Sequence, residues 1–168
     1  MIYYLDIIKS LSSAQLSLHY AIYRAFNVLL TSDQSKKDLN IGLSSDVHSL
    51  QLFTYGGEIQ SLGIDIGRDS VALYNKGLIH QYSYKTRHVD GRDYNPGKLD
   101  SGASAKIFQE TYFVPTTLGF QLYAVACAQV SEWQRTTTKL FEPLADAKEL
   151  EHKFLSSNEM LTHVQSLA

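Results

Sequence analysis

The residues best suited to chemistry lie in the middle of the chain. Arg68, Lys76, Lys85, Arg87, His88 and Arg92 fall in one stretch, and Lys98 and Lys106 follow. Cations at this density suit contacts to phosphate, which supply most of the sequence-independent affinity for nucleic acid. Acids are interleaved with them: Asp65 and Asp69 beside Arg68, then Asp90, Asp93 and Asp100. Over residues 63–77 the charges of Asp65, Asp69, Arg68 and Lys76 cancel. Base edges are read by Arg, Lys, Asn or Gln on a helix lying in a groove. Arg68 and Asn75 are the obvious residues of that kind here. The plainer alternative is that these charges solvate a surface used for protein contacts. An apolar stripe near the C-terminus offers a partner interface: Leu144, Leu150, Phe154 and Leu161, with Ala147, Met160 and Val164. It either folds back onto the domain or pairs with a second chain.

Metal and catalytic chemistry have thinner support. The six His are His19, His48, His80, His88, His152 and His163, and no pair has the i, i+3 or i, i+4 spacing of two ligands on one helix face. His80 and His88 would share one face of a strand, with no further ligands beside them. Asp90-Gly91-Arg92-Asp93-Tyr94-Asn95 matches a calcium loop only in outline, because Arg stands where a ligand belongs and no acid closes the loop. Cys127, between Ala126 and Ala128, reads as a buried, inert thiol. His19, inside an apolar helix, reads as a hydrogen-bonded core residue rather than a general base. No nucleophile elbow, phosphate loop or dinucleotide fingerprint occurs. The expectation is a non-enzymatic protein with no cofactor, no metal and no small-molecule ligand.

The elements that must position these residues follow from pattern. Residues 4–11 read as a short helix leading in. Ser12 and Gln15 have capping-box spacing, and from Ala14 apolar residues recur at helical spacing. Leu16, Tyr20 and Tyr23 form one face, with Leu18, Ile22, Val28 and Leu29 around it, so this helix should be central and covered on most sides. Residues 32–46 read as a polar connection, 50–54 as a short strand, and 58–62 as a short helix ending at Gly63. Ile59, Leu62, Ile64, Val71, Leu73, Leu78 and Ile79 fall where two short packed helices would need them. Asp69 or Ser70 is the expected cap of the second, and Asn75-Lys76-Gly77 its end, since Gly tolerates the left-handed conformation there. A strand rich in Tyr starts at Leu78. Turn signals fill residues 89–105, and a second strand returns over 106–114. Thr116 or Thr117 caps a helix running on to Val130. A link follows Trp133, then a C-terminal amphipathic helix from Leu144 to Leu155 that extends past the break at Ser156-Ser157.

The order of helix, turn, helix, Lys76-Gly77-Leu78-Ile79, strand, polar loop, strand and Val114-Pro115-Thr116-Thr117-Leu118-Gly119 resembles a winged helix-turn-helix. The resemblance covers residues 50–129 and implies a recognition helix over 69–75 and a long wing over 88–105. A second resemblance takes in the N-terminal helix. Asp6-Ile7-Ile8-Lys9-Ser10-Leu11-Ser12-Ser13-Ala14-Gln15 is similar to the lead-in of the Abi-alpha family. Leu73-Tyr74-Asn75-Lys76-Gly77-Leu78-Ile79 is similar to its L-x-x-x-G-L-I segment. Residues 117–127 are similar to its T-x-x-G-x-x-F-x-x-x-C ending, with Tyr123 in place of the Phe and Gly119 one position earlier than the Gly. That family is bacterial and connected with abortive phage infection. The resemblance implies a non-enzymatic, defence-related role through protein contacts.

Composition agrees with a folded domain. The chain has 168 residues, of which 44% are hydrophobic, with 15 basic and 17 acidic side chains and a formal charge of −2. That length buries a sizeable core, and the near-zero net charge excludes both disorder and a wholly polyanion-binding surface. One Cys excludes a disulfide framework and a Cys-rich zinc site. No signal peptide is legible at the start. The apolar stretches 14–30 and 111–131 are each interrupted by polar residues and fall short of a span. The expected protein is cytoplasmic, α+β and mostly helical. It is one domain over 1–168: a helical N-terminal part (1–48), a winged-helix-like core with a long β-wing (49–131) and a C-terminal helical extension (132–168). Its expected partner is another protein or a second copy, with DNA as the alternative and no membrane.

Overall fold

A computed structural model of the chain describes residues 2–32, 50–55, 62–88 and 107–127, together with the exposed helical positions Glu159 and Thr162. Two helices come first: α1 (Ile2–Lys9) and α2 (Ser13–Ser32). The capping box forms as the spacing predicts. The Gln15 N–H donates to Ser12 Oγ at 3.2 Å, and the Ser12 N–H donates to Gln15 Oε1 at 3.0 Å. Two amides that the helix start would otherwise orphan are thereby satisfied.

The helix α2 is the spine of the core. Leu18, Ile22, Tyr23, Phe26 and Leu30 are completely buried. The deepest stripe is therefore Leu18–Ile22–Phe26 at i, i+4 spacing, flanked by Tyr23. Leu16 and Leu29 are only half-buried, and Val28 is exposed. The expected central, broadly covered helix is present, with its buried axis turned relative to the sequence reading.

After α2 come β1 (Leu52–Tyr55), α3 (Ile66–Asn75), β2 (Ile79–His88), β3 (Ile107–Pro115) and α4 (Thr117–Ala126). The strands form an antiparallel sheet in the order β1-β3-β2. The protein is thus α+β and, among the described residues, mostly helical. Leu52 and Phe113 pair across the sheet and turn inward with Thr54 and Thr111. The helix α2 packs on α3, α4 and β1, and Leu50, Ile64, Ile66, Leu73, Leu78, Phe120 and Tyr123 close the core around it.

The lead-in helix and the first strand are each displaced by a residue or two from 4–11 and 50–54, and two helix boundaries differ from expectation by about a turn. The cap of α3 is Asp65, not Asp69 or Ser70, so the helix starts a turn earlier and has 10 residues. Asp65 Oδ1 accepts from the Arg68 N–H at 3.0 Å, and the buried Asp69 returns its Oδ2 to the Asp65 N–H at 3.0 Å. A carboxylate one turn into a helix can reach back in this way, so the acid that looks like a cap from sequence is the cap's partner. The helix α4 ends at Ala126 with Cys127 as its C-cap, short of the Val130 expected. The expected connection at 32–46, the helix at 58–62, the wing and the segment from 128 onward lie outside the described residues, Ser32, Leu62, His88, Glu159 and Thr162 apart.

Candidate functional site

The junctions on either side of β2 and β3 determine what α3 presents. The helix α3 ends in a double hydrogen bond: the Gly77 N–H donates to the Tyr74 carbonyl and the Leu78 N–H to the Leu73 carbonyl, both at 2.9 Å. Gly77 adopts φ +68°, the left-handed conformation that this ending requires. Leu73 and Leu78, which flank it, are both fully buried. From β3 the chain enters α4 through Thr116. Its Oγ1 accepts from the Gly119 N–H at 3.0 Å and donates to the Gly77 carbonyl at 2.8 Å. The two short motifs, Lys-Gly-Leu-Ile and Thr-x-x-Gly, are halves of one junction.

Tyr23 of α2 reaches into that junction. Its hydroxyl accepts from the Thr116 N–H at 2.9 Å and donates to the Leu78 carbonyl. Burial raises its pKa, so it stays a neutral phenol. His19, one turn earlier, stacks on Tyr23 with ring centroids 4.6 Å apart and places Nε2 3.1 Å from the Gly119 carbonyl. Since a carbonyl can only accept, that nitrogen carries the proton. Burial pushes the His19 pKa down to about 4, against the opposing pull of the Gly119 carbonyl. Gly119 is held small by this packing. A Cβ there would run into the Tyr23 ring and hydroxyl and the Leu78 carbonyl. His19 is thus a core histidine, as its sequence context implies.

With α3 anchored at its C-terminal end, its faces are set. Ile66, Asp69, Ser70 and Leu73 are buried. Gly67, Arg68, Val71, Tyr74, Asn75 and Lys76 are exposed. Val71 is 40% exposed and Tyr74 51%. Val71 therefore does not pack inside, contrary to its expected place among the core residues. The Tyr74 ring leans edge-on against Tyr82 of β2, with centroids 6.1 Å apart and planes at 68°. The outward side of α3 is thus apolar and aromatic at its middle, a feature that sequence reading missed. It becomes legible once the helix start is set at Asp65. Period 3.6 then sends Ile66, Asp69, Ser70 and Leu73 to one side and Val71 and Tyr74 to the other.

The predicted cations are dispersed around this face. The exposed Arg68 donates from Nε to Asp69 Oδ1 at 3.0 Å and from Nη2 to Asp69 Oδ2 at 3.3 Å. Two of its five N–H donors are thereby engaged, and the adjacent carboxylate offsets its charge toward phosphate. Lys76 is exposed at the C-cap, about 12 Å along the helix from Arg68 at 1.5 Å per residue. Lys85 is exposed on β2, opposite Glu110 of β3. From Ile79 to Lys85 the strand runs about 20 Å. Arg87 and His88 occupy the far end of β2, opposite Phe108 and Ile107. Arg92, Leu144, Leu150, Phe154 and Leu161 lie outside the described residues.

His80 sits at an irregularity between Ile79 and Gln81, where the register with β3 shifts. Such a bulge breaks strict alternation at His80. Among the described residues no group of three His, Cys, Asp or Glu is arranged to hold a metal. None of their helices is long and apolar enough to cross a membrane. Cys127 is half-buried at the end of α4, and burial pushes its thiol up, away from thiolate character.

No protein-family model, curated protein or solved structure matches the chain.

Proposed function

We propose that this chain is a non-enzymatic interaction module with a winged-helix-like centre, working by protein contacts in bacterial phage defence of the abortive-infection kind. The observation that carries the protein-contact reading is the outward face of α3. Where a groove-binding helix needs cations and amides, this helix offers exposed Val71 and Tyr74, and its one arginine is engaged by Asp69. Exposed aromatic and aliphatic side chains on a rigid helix suit a protein partner. The winged-helix reading is supported by the element order and by the antiparallel pairing of β2 with β3 across the polar connection 89–106. The place in phage defence is what the similarity of the three short motifs to the Abi-alpha family implies.

The alternative is a DNA-binding regulator using Arg68, Lys76, Lys85, Arg87, His88 and Arg92. Exposed Lys76 and Lys85 favour it. Titration of labelled mixed-sequence duplex DNA at low and moderate salt separates the two. The interaction module binds at neither salt. Binding that weakens steeply with salt, and disappears in Arg68→Ala/Lys76→Ala/Lys85→Ala, would put the regulator first. The defence role is read by phage plating on cells expressing the chain. Val71→Asp and Tyr74→Ala should each remove protection while the protein stays folded.

A further inference from the structure

The sheet has two faces, and the described helices pack on one of them. Leu52, Phe113 and Tyr82 are cross-strand partners on that face, and all three pack into or against the core around α2. Strand alternation sends Phe53, Glu110, Tyr112, Val114 and Lys85 to the other face. There Phe53 pairs with Tyr112, with ring centroids 5.8 Å apart, and Lys85 pairs with Glu110. Among the described residues of this second face, Phe53, Tyr112 and Val114 take no part in the core around α2. Yet the face is not open to water. Val114 is 3% exposed and Glu110 5%, Phe53 and Tyr112 are half-buried, and Lys85, on the outer strand β2, is exposed. Neighbours within a sheet shield the flanks of a side chain but not its top, so burial to this degree takes a second layer.

We propose that this layer is the chain's own C-terminal segment, residues 157–167, seated on the second face as a helix by Met160, Leu161 and Val164. The burial is that of one chain by itself, so its cover is intramolecular. Glu159 and Thr162 are helical and exposed. At about 100° per residue, Val164 lies about 140° round the helix from Glu159 and about 160° from Thr162. Met160 and Leu161 lie about 100° to 160° from both. The side opposite the exposed pair is therefore apolar, and the one formal charge of 157–167, Glu159, is on the exposed side. The stripe that precedes it fits this face less well. Glu151 falls between Leu144 and Ala147 on that stripe, and an acid pressed onto the buried Glu110 is unfavourable. About 30 residues separate Cys127 from Ser157, enough to carry the chain from the end of α4 to either side of the sheet. Leu161, expected from sequence either to fold back or to meet a second chain, thus folds back. The inference is independent of the reading of α3 and leaves α3 as the surface for partners.

Thiol labelling of the full chain tests it. In a Cys127→Ser background, Val114→Cys puts a single thiol beneath the C-terminal segment. Its reaction with a maleimide should be slow. Adding Leu161→Asp/Val164→Asp should speed it at least about tenfold, with a thermal melt that stays cooperative. Val71→Asp, on α3, should leave the rate unchanged. In the same background, Tyr112→Cys is paired in turn with Met160→Cys, Leu161→Cys and Val164→Cys. At least one pair should oxidise to a disulfide within one chain, at monomer mass, and Tyr112→Cys with Glu159→Cys should not. A Val114→Cys thiol that reacts fast from the start, or whose rate the two aspartates leave unchanged, would overturn the inference. So would the absence of an intrachain disulfide in all three pairs, disulfides that join two chains instead, or equal cross-linking through Glu159→Cys. Phage plating and DNA titration read the α3 face separately, so either reading can fail without the other.

Discussion

Tyr23 and His19 show how much a single buried polar group can be asked to hold. The Tyr23 hydroxyl serves the Thr116 N–H and the Leu78 carbonyl at once, with no exposure to water. Tyr23→Phe leaves the buried Leu78 carbonyl and the half-buried Thr116 N–H without that partner and should lower stability by about 2 kcal/mol. Gly119→Ala should be at least as damaging, because the added methyl falls on the same ring. Urea unfolding of the two variants measures both. His19 gives the fold a pH dependence with a defined sign. Its folded pKa of about 4 lies below its ordinary 6.5. The unfolded chain therefore binds the extra proton first. The stabilisation is complete above about pH 6.5, declines as pH falls toward 4, and is fully lost below that. A shift of this size is worth about 3 kcal/mol. Denaturation midpoints taken between pH 7.5 and 4 should fall more steeply in the wild type than in His19→Gln, whose side-chain amide can still donate to Gly119.

The helix α3 is the element on which the functional reading turns, and its start is tied down by Asp69. Asp69 is wholly buried, receives the Asp65 N–H and holds the Arg68 guanidinium. Asp69→Ala should cost about 2 kcal/mol, the range of hydrogen bonds to a charged group. Arg68→Ala should cost less, since Arg68 is 66% exposed in the pair. Thermal melts of the two variants give the order directly, and an equal or reversed order would refute the anchoring role of Asp69. The end of α3 and the start of α4 were open to sequence reading because capping is local: Gly77 and Thr116 each act within a few residues. The start of α3 was not. Asp65, Asp69 and Ser70 are all chemically competent caps, and burial of Ile66 decided among them.

At the scale of the whole molecule, the Tyr23 junction ties α2 to the α3–β2 turn and the β3–α4 turn, three places far apart along the chain. The amide of Thr116 sits at its centre. Its hydrogen exchange should therefore proceed only by global opening, with a protection factor that falls in Tyr23→Phe by the same free energy as the loss of stability. Faster exchange of Thr116 than of core amides in β3 would show that the junction opens on its own.

What the sequence determined by itself is local in its physics. The capping box at Ser12, the stop at Gly77, a cap at Thr116 or Thr117, the Tyr-rich strands and the apolar period of α2 all depend on residues within a turn or two of one another. The α+β class follows from adding them. What only the tertiary structure decided is which side of each element faces in. Tyr23 meets its partners 55 and 93 positions away, and no local pattern separates it from Tyr20. Val71 looks like core by composition, yet Ile66, Asp69, Ser70 and Leu73 take the inner side of α3 and leave it outside. The order of the cations along the chain was legible, but their dispersal and the engagement of Arg68 by Asp69 were not. Packing is a competition between faces for one core, and its outcome depends on every element present rather than on any one of them.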